Sequence, residues 1–316
     1  MNVATTRIDQ SSSDVISALG FTDEMTALRR RIAAWVEACD PEMREALEWQ
    51  FLAGSKYFRP LTIFACYRSL ASGPIPESVM TSAVVIEFFH NVSLIVDDIV
   101  DRSPERRGRA TLHTRFGELN ALMVSGYIVA DGYRYLGADL QAIGLFSELL
   151  KRLGVAECMQ WRLRRQLLGV EDWRRIAGED TGSMFEVCAC LGDRSTKLRK
   201  FGGLLGLLYH GCDDVGDVRG AIALGGGGEE DVRDGILTLP AALAIRDPKI
   251  GALFCKPDPE PDDLRAIADA FGAELSEAEA CLDRIAEEAR VEARAFSIDP
   301  VPLLALVDQT RKLSGR

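Results

Sequence analysis

An Asp-Asp-x-x-Asp segment occurs twice in this chain, at Asp97, Asp98 and Asp101 and again at Asp213, Asp214 and Asp217, each time within apolar surroundings of helical spacing. On a helix, the first and last aspartates of each segment lie four residues apart and project from one face. Like charges at that spacing repel, so each cluster needs a counter-charge. An all-oxygen donor set favours a hard divalent cation such as Mg²⁺ over zinc. Two such helices facing one another could hold several Mg²⁺ ions and, through them, a polyphosphate. On this reading the chain is helical in two places far apart in sequence.

Helix signals dominate elsewhere too. Ser13 is a candidate N-cap for a helix reaching about Ala38, along which Ile16, Leu19, Met25, Leu28, Ile32 and Trp35 form a stripe. Asp40-Pro41 should end it, because the residue before a proline is pushed out of the helical region. Further helices are expected at about 41–53, 60–71, 76–102, 117–136, 140–168, 170–191, 195–218, 239–244, 261–271, 276–296 and 300–313. No stretch alternates with period two, so no strands are expected. Gly54, Ser103-Pro104, Gly192-Asp193, Gly225 to Gly228 and Pro257 to Pro261 separate helices without marking a second domain. The reading is one all-α domain over 1–316, with flexible segments at 1–13 and 220–235.

The net charge of -11 argues against nucleic acid or an anionic membrane as partner. An anionic ligand must then be met locally, by metal and a few arginines. The 8 cysteines are scattered, without CxxC spacing, and read as reduced thiols of a cytoplasmic protein. The start, Met1 to Asp14, is polar and unlike a signal peptide, and no apolar run reaches the ~20 residues of a membrane span.

The residues around the first aspartate segment run from Glu87-Phe88-Phe89-His90-Asn91 through Asp101, then Arg106-Arg107-Gly108 and Thr111-Leu112-His113. This closely resembles the first aspartate-rich region of the trans-isoprenyl diphosphate synthases, the polyprenyl synthetase family. Upstream, Gly54-Ser55-Lys56-Tyr57-Phe58-Arg59-Pro60 is similar to the family's glycine-lysine-arginine-proline segment. Downstream, Gln160, Thr181-Gly182-Ser183, the second aspartate segment and Thr238-Leu239-Pro240 follow in the family's order.

The resemblance implies a helical bundle around a central cavity, a homodimer, and three Mg²⁺ ions as cofactor. It implies an allylic diphosphate and isopentenyl diphosphate as substrates. Asp97, Asp101 and Asp213 would be the most direct Mg²⁺ ligands, with Asp98, Asp214 and Asp217 beside them. Lys56, Arg59, His90 and Arg107 match the isopentenyl diphosphate site, Arg106 the allylic diphosphate site, and Thr181 falls in the substrate-binding set. Arginine forks suit phosphate because they grip its oxygens in pairs. Ionising an allylic diphosphate needs the departing charge neutralised, which metal and cationic side chains supply.

Three departures from the family pattern qualify this. Asp180 stands where the family has a lysine before Thr181, Ile236 where it has one after Gly235, and the loop after the second segment has none between Gly220 and Gly228. The family's phenylalanine-glutamine pair is replaced by Tyr209-His210. Prenyl transfer to isopentenyl diphosphate is the first expectation. A class I terpene cyclase acting on farnesyl or geranylgeranyl diphosphate is the second, and a weakly active regulatory subunit the third.

Helical geometry also suggests a pocket depth. Phe89, Ser93 and Asp97 are four apart, so the wall below the metal end is Ser93 and Val92 first and Phe89 and Phe88 one turn deeper. With ~5.4 Å per turn, a chain longer than about fifteen carbons would fit, and a product near C20 is expected.

Overall fold

The computed structural model describes residues 15–51, 56–220 and 228–315. The expected flexible segment 1–13, the Ser13 cap, Gly54, Ser55 and positions 221–227 lie outside the described residues. The chain falls into two compact units: residues 1–145 with 190–195, and residues 146–189 with 196–316.

The first unit begins with residues 15–18, a short helical stretch, followed by α1 (Thr22–Ala38), α2 (Pro41–Phe51), α3 (Phe58–Leu70) and α4 (Glu77–Val100). The break at Pro41 falls where the proline rule places it. Asp40 Oδ1 accepts from the Glu42 backbone N–H at 3.0 Å, satisfying one of the orphan donors that open α2. Helix α4 is 24 residues long, and Val84, Val85, Ile86, Phe88 and Phe89 are all fully buried. A helix apolar all round is a core helix. By length and composition α4 is also apolar enough to cross a bilayer, contrary to the sequence expectation, but 78% of its apolar window is buried inside the protein.

Beyond α4 comes an element the sequence did not announce. Strands β1 (Glu105–Arg106) and β2 (Arg109–Ala110) form an antiparallel ladder pairing Glu105 with Ala110 and Arg106 with Arg109. The two-residue loop has φ of 54° at Arg107 and 70° at Gly108, the positive pair that matches a tight hairpin to strand twist. Two-residue strands are too short to show alternation. The unit continues with α5 (Leu112–Phe116), α6 (Glu118–Leu136) and the start of α7 (Leu140–Leu163).

The second unit holds the rest of α7, α8 (Val170–Ala177), a π-helical turn at Gly178–Gly182, most of α9 (Ser183–Asp193) and α10 (Arg199–Val218). The single helix expected over 170–191 is thus interrupted. Arg152 holds the interruption, with Nε and Nη2 on Glu179 at 2.8 and 3.2 Å and Nη1 on Glu186 at 2.6 Å. A Cβ at Gly206 on α10 would lie 2.7 Å from the Thr181 carbonyl, so only glycine lets α10 approach the turn this closely. The unit is completed by α11 (Gly228–Asp234), α12 (Leu239–Ala244), α13 (Pro248–Phe254), α14 (Pro261–Ala273), α15 (Leu275–Phe296) and α16 (Val301–Arg311). Helix α11 lies inside the segment expected to be flexible. Buried Glu279 on α15 pairs with Arg219, just past α10, at 2.6 Å and with Arg311 on α16, fixing the end of α10 that carries the second aspartate segment.

Candidate active site

At the end of α4 in the first unit, the three aspartates divide by direction. Asp97 is half-buried and Asp101 exposed, whereas Asp98 is buried. Its Oδ1 accepts from Arg106 Nε at 2.7 Å. Burial raises the Asp98 carboxyl above its ordinary value, and the Arg106 guanidinium works against that rise. The middle aspartate thus anchors the hairpin to α4, and the outer two form the face four residues apart.

Two turns earlier on α4, His90 is 8% exposed and its Nε2 lies 3.1 Å from Arg59 Nη1. Burial, and beyond it the guanidinia of Arg59, Arg107 and Arg106, holds His90 well below the usual imidazole range. The ring is therefore neutral near pH 7. A guanidinium only donates, so Nε2 is the acceptor and the proton sits on Nδ1. That buried Nδ1 has no hydrogen-bond partner among the described residues. His90, Arg106 and Arg107 line one recess, open to solvent, together with Glu87, Trp49 and Arg109. Arg109 was not among the residues singled out from sequence. Lys56 is half-buried just ahead of Tyr57, which opens α3 with a φ of 56°.

The pocket-wall residues separate in space. Ser93 Oγ donates to the His90 carbonyl at 2.9 Å, and Val92 is 8% exposed. Phe88 packs among Trp35, Phe51 and Tyr135, with ring centroids at 4.1, 5.7 and 5.7 Å, and is core. Phe89 instead packs against Tyr133 of α6 at 5.5 Å, where a Cβ on neighbouring Gly132 would come within 3.3 Å of its ring.

The second unit repeats the division. Asp213 and Asp217 on α10 are half-buried and Asp214 is buried. Asp214 Oδ2 accepts from Trp173 Nε1 and from the Leu239 backbone N–H, both at 2.8 Å, tying α10 to α8 and α12. Thr181 and Asp180 sit on the π-helical turn, and π-bulges frequently mark functional positions. His210 Nδ1 stands 3.0 Å from Thr181 Oγ1 and 3.4 Å from Asp180 Oδ2, while its Nε2 lies 3.7 Å from Asp214 Oδ1. Burial alone would lower the His210 pKa, but Asp214, Asp180 and Asp213 override it and push it up to about 9. The imidazolium is the cation beside Asp180. Asp231 on α11 is held well above the usual carboxylate range by burial and by Asp214, Asp217 and Asp213. Sequence reasoning missed it because its helix lies in the glycine-rich stretch read as loop.

Among the described residues, no three His, Cys, Asp or Glu side chains stand together as a ready-made metal cage. Each segment instead offers carboxylates four apart on a helix face. That donor set suits Mg²⁺, which keeps waters and shares its octahedron with phosphate oxygens instead of needing an all-protein cage.

Residues 40–269 match the family model described as polyprenyl synthetase. Over 318 residues the chain is 26% identical to a nonaprenyl diphosphate synthase of Mycobacterium tuberculosis, covering 92% of this chain and 94% of that one. It is 28% identical to geranylgeranyl pyrophosphate synthase 11 of Arabidopsis thaliana over 265 residues, 74% of each chain. Among solved structures, a polyprenyl synthase of Caulobacter crescentus complexed with calcium and isoprenyl diphosphate superposes with a TM-score of 0.84 at 22% identity, over 98% of this chain and 99% of that one. The all-α isoprenoid synthase fold and the match over most of its length make this chain a member of the polyprenyl synthetase family, a prenyl-transferring enzyme.

Proposed function

We propose that this protein transfers an allylic diphosphate's prenyl group to isopentenyl diphosphate, giving a product near C20. The observation that carries the reading is the recess at the end of α4, where Arg107 and neutral His90, itself bonded to Arg59, gather donors for a second diphosphate. A cyclase, which ionises a single substrate, has no use for such a place. The relatives reported above are all diphosphate synthases, so the cyclase alternative finds no support. The retained aspartate faces speak against a purely regulatory subunit.

Asp97 and Asp101 in the first unit, and Asp213 and Asp217 in the second, would hold Mg²⁺. Bound there, the metal supplies the positive charge that neutralises a departing diphosphate. Arg106 presents its guanidinium at the same end of α4, oriented by Asp98. Arg59, Lys56, Arg107 and His90 position isopentenyl diphosphate. Val92, Ser93 and Phe89 line an apolar wall along the growing chain and keep water from the cationic carbon.

Purified protein with Mg²⁺ and farnesyl diphosphate, with and without isopentenyl diphosphate, tests the reading. A longer diphosphate should form only when isopentenyl diphosphate is present. A hydrocarbon made in its absence would overturn it. A cytoplasmic homodimer completes the proposal. Leu119, Leu122 and Met123 form an exposed apolar stripe on α6, at 70%, 48% and 54% exposure, suited to a second copy. Light scattering giving a monomer at micromolar concentration would remove the dimer.

A further inference from the structure

We infer that Arg109 is an additional anion-binding residue of the α4 recess and helps to hold the diphosphate of isopentenyl diphosphate there. The inference rests on the coupling reading above. Arg109 is the partner of Arg106 in the hairpin register, the pair that closes the two-residue loop. Like charges directly opposite on a ladder are unfavourable and need a counter-ion between or beside them. Arg106 has one in Asp98, at 2.7 Å. Arg109 has no carboxylate partner and no hydrogen-bond acceptor among the described residues. Its guanidinium lies over the Trp49 ring, 4.0 Å from the centroid.

The Trp49 ring is itself fixed. Its Nε1 donates to the Ala110 carbonyl at 3.0 Å, and Arg115 stacks on it at 3.8 Å. Arg115 has an outlet in Glu45, 3.2 Å away; Arg109 has none. Stacking fixes the plane of the Arg109 guanidinium, and Arg109 lines the same recess as Arg107 and His90. The buried His90 Nδ1–H is a second donor there lacking an acceptor. Two unmet donor groups and a flanking arginine around one opening call for an anion with several oxygens. A diphosphate supplies them, and bidentate guanidinium contacts are the strong form of that bond.

The test compares Arg109→Gln, Arg109→Lys and, as a control, Arg246→Gln, an exposed arginine of the second unit paired with Glu277, with wild type, each checked for an unchanged melting transition. Calorimetry reads binding of isopentenyl diphosphate and of inorganic pyrophosphate, and kinetics reads KM for each substrate separately. Arg109→Gln should weaken isopentenyl diphosphate binding and raise its KM by about ten- to a hundredfold, the loss of a charge-assisted contact. The allylic KM should stay nearly constant. Arg109→Lys should fall between, keeping charge without the fork, and Arg246→Gln should leave binding unchanged. Folded Arg109 variants that bind isopentenyl diphosphate like wild type would overturn the inference, as would a rise confined to the allylic KM. Arg109-dependent binding of pyrophosphate, with no binding of isopentenyl diphosphate by wild type, would sink the coupling reading and retain the anion site.

Discussion

His210 Nδ1 lies 3.4 Å from Asp180 Oδ2, joining two positions at which this chain departs from the family pattern. By the resemblance, the family carries a lysine at position 180 and a glutamine at position 210, upstream of the second aspartate segment. The two changes belong together. A carboxylate on the π-helical turn would be repulsive next to a polyphosphate, and an imidazolium held in its charged form by Asp214, Asp180 and Asp213 offsets it. The cation beside the turn is supplied from α10.

This coupling predicts a pH dependence of stability in metal-free protein. The folded His210 pKa of about 9 exceeds the unfolded value near 6.5, so its contribution is fully present below about pH 6.5 and is lost as pH rises through about 9. The shift corresponds to on the order of 3 kcal/mol. Melting temperatures of wild type and His210→Gln should differ most near pH 6 and converge by pH 10. Parallel curves over that range would show that His210 is not charged in the fold.

Trp173→Phe should separate the anchoring role of Asp214 from its charge. A phenyl ring fills part of the indole's buried space, and Asp214 Oδ2 loses the indole N–H at 2.8 Å and keeps Leu239. A buried carboxylate missing a donor costs about 1–3 kcal/mol. Chemical denaturation should read that loss, while circular dichroism stays unchanged. A variant as stable as wild type would mean that neither the bond nor the lost indole volume contributes.

The two aspartate helices were legible because carboxylates four apart within an apolar helical pattern have few other readings. The split within each segment was not. Which carboxylate turns inward depends on partners such as Arg106 and Trp173, which approach from other elements and leave no mark at the aspartate itself. The hairpin at Glu105 to Ala110 was invisible because its strands are two residues long, and the π-helical turn because an extra backbone residue has no side-chain signature. Asp180 and His210 were each noticed as departures. Their partnership required the fold, since 29 residues separate Thr181 from His210.

Phe89 and Tyr133 give a prediction on product length. Phe88 lies in an aromatic core and cannot be the floor; Phe89, against Tyr133 at 5.5 Å, can. Phe89→Ala should lengthen the product by at least one isoprene unit, read by mass spectrometry of the dephosphorylated alcohols. It should also cost about 3–5 kcal/mol of stability, as a buried aromatic truncation does. Unchanged product from a folded variant would place the floor elsewhere.

Asp97→Ala and Asp98→Asn should fail in different ways, although the residues are adjacent. Asp97 lies on the half-buried face that would hold Mg²⁺, so its loss should lower turnover about a thousandfold or more with little change in melting temperature. Asp98 is 4% exposed and bonds Arg106, so Asp98→Asn should lower stability by about 1–3 kcal/mol and raise the allylic KM as the hairpin loosens. EDTA should abolish wild-type turnover, and excess Mg²⁺ should restore it in wild type and in Asp98→Asn but not in Asp97→Ala. If excess Mg²⁺ instead rescues Asp97→Ala, the metal is held mainly by the substrate, and the α4 face contributes only electrostatic attraction.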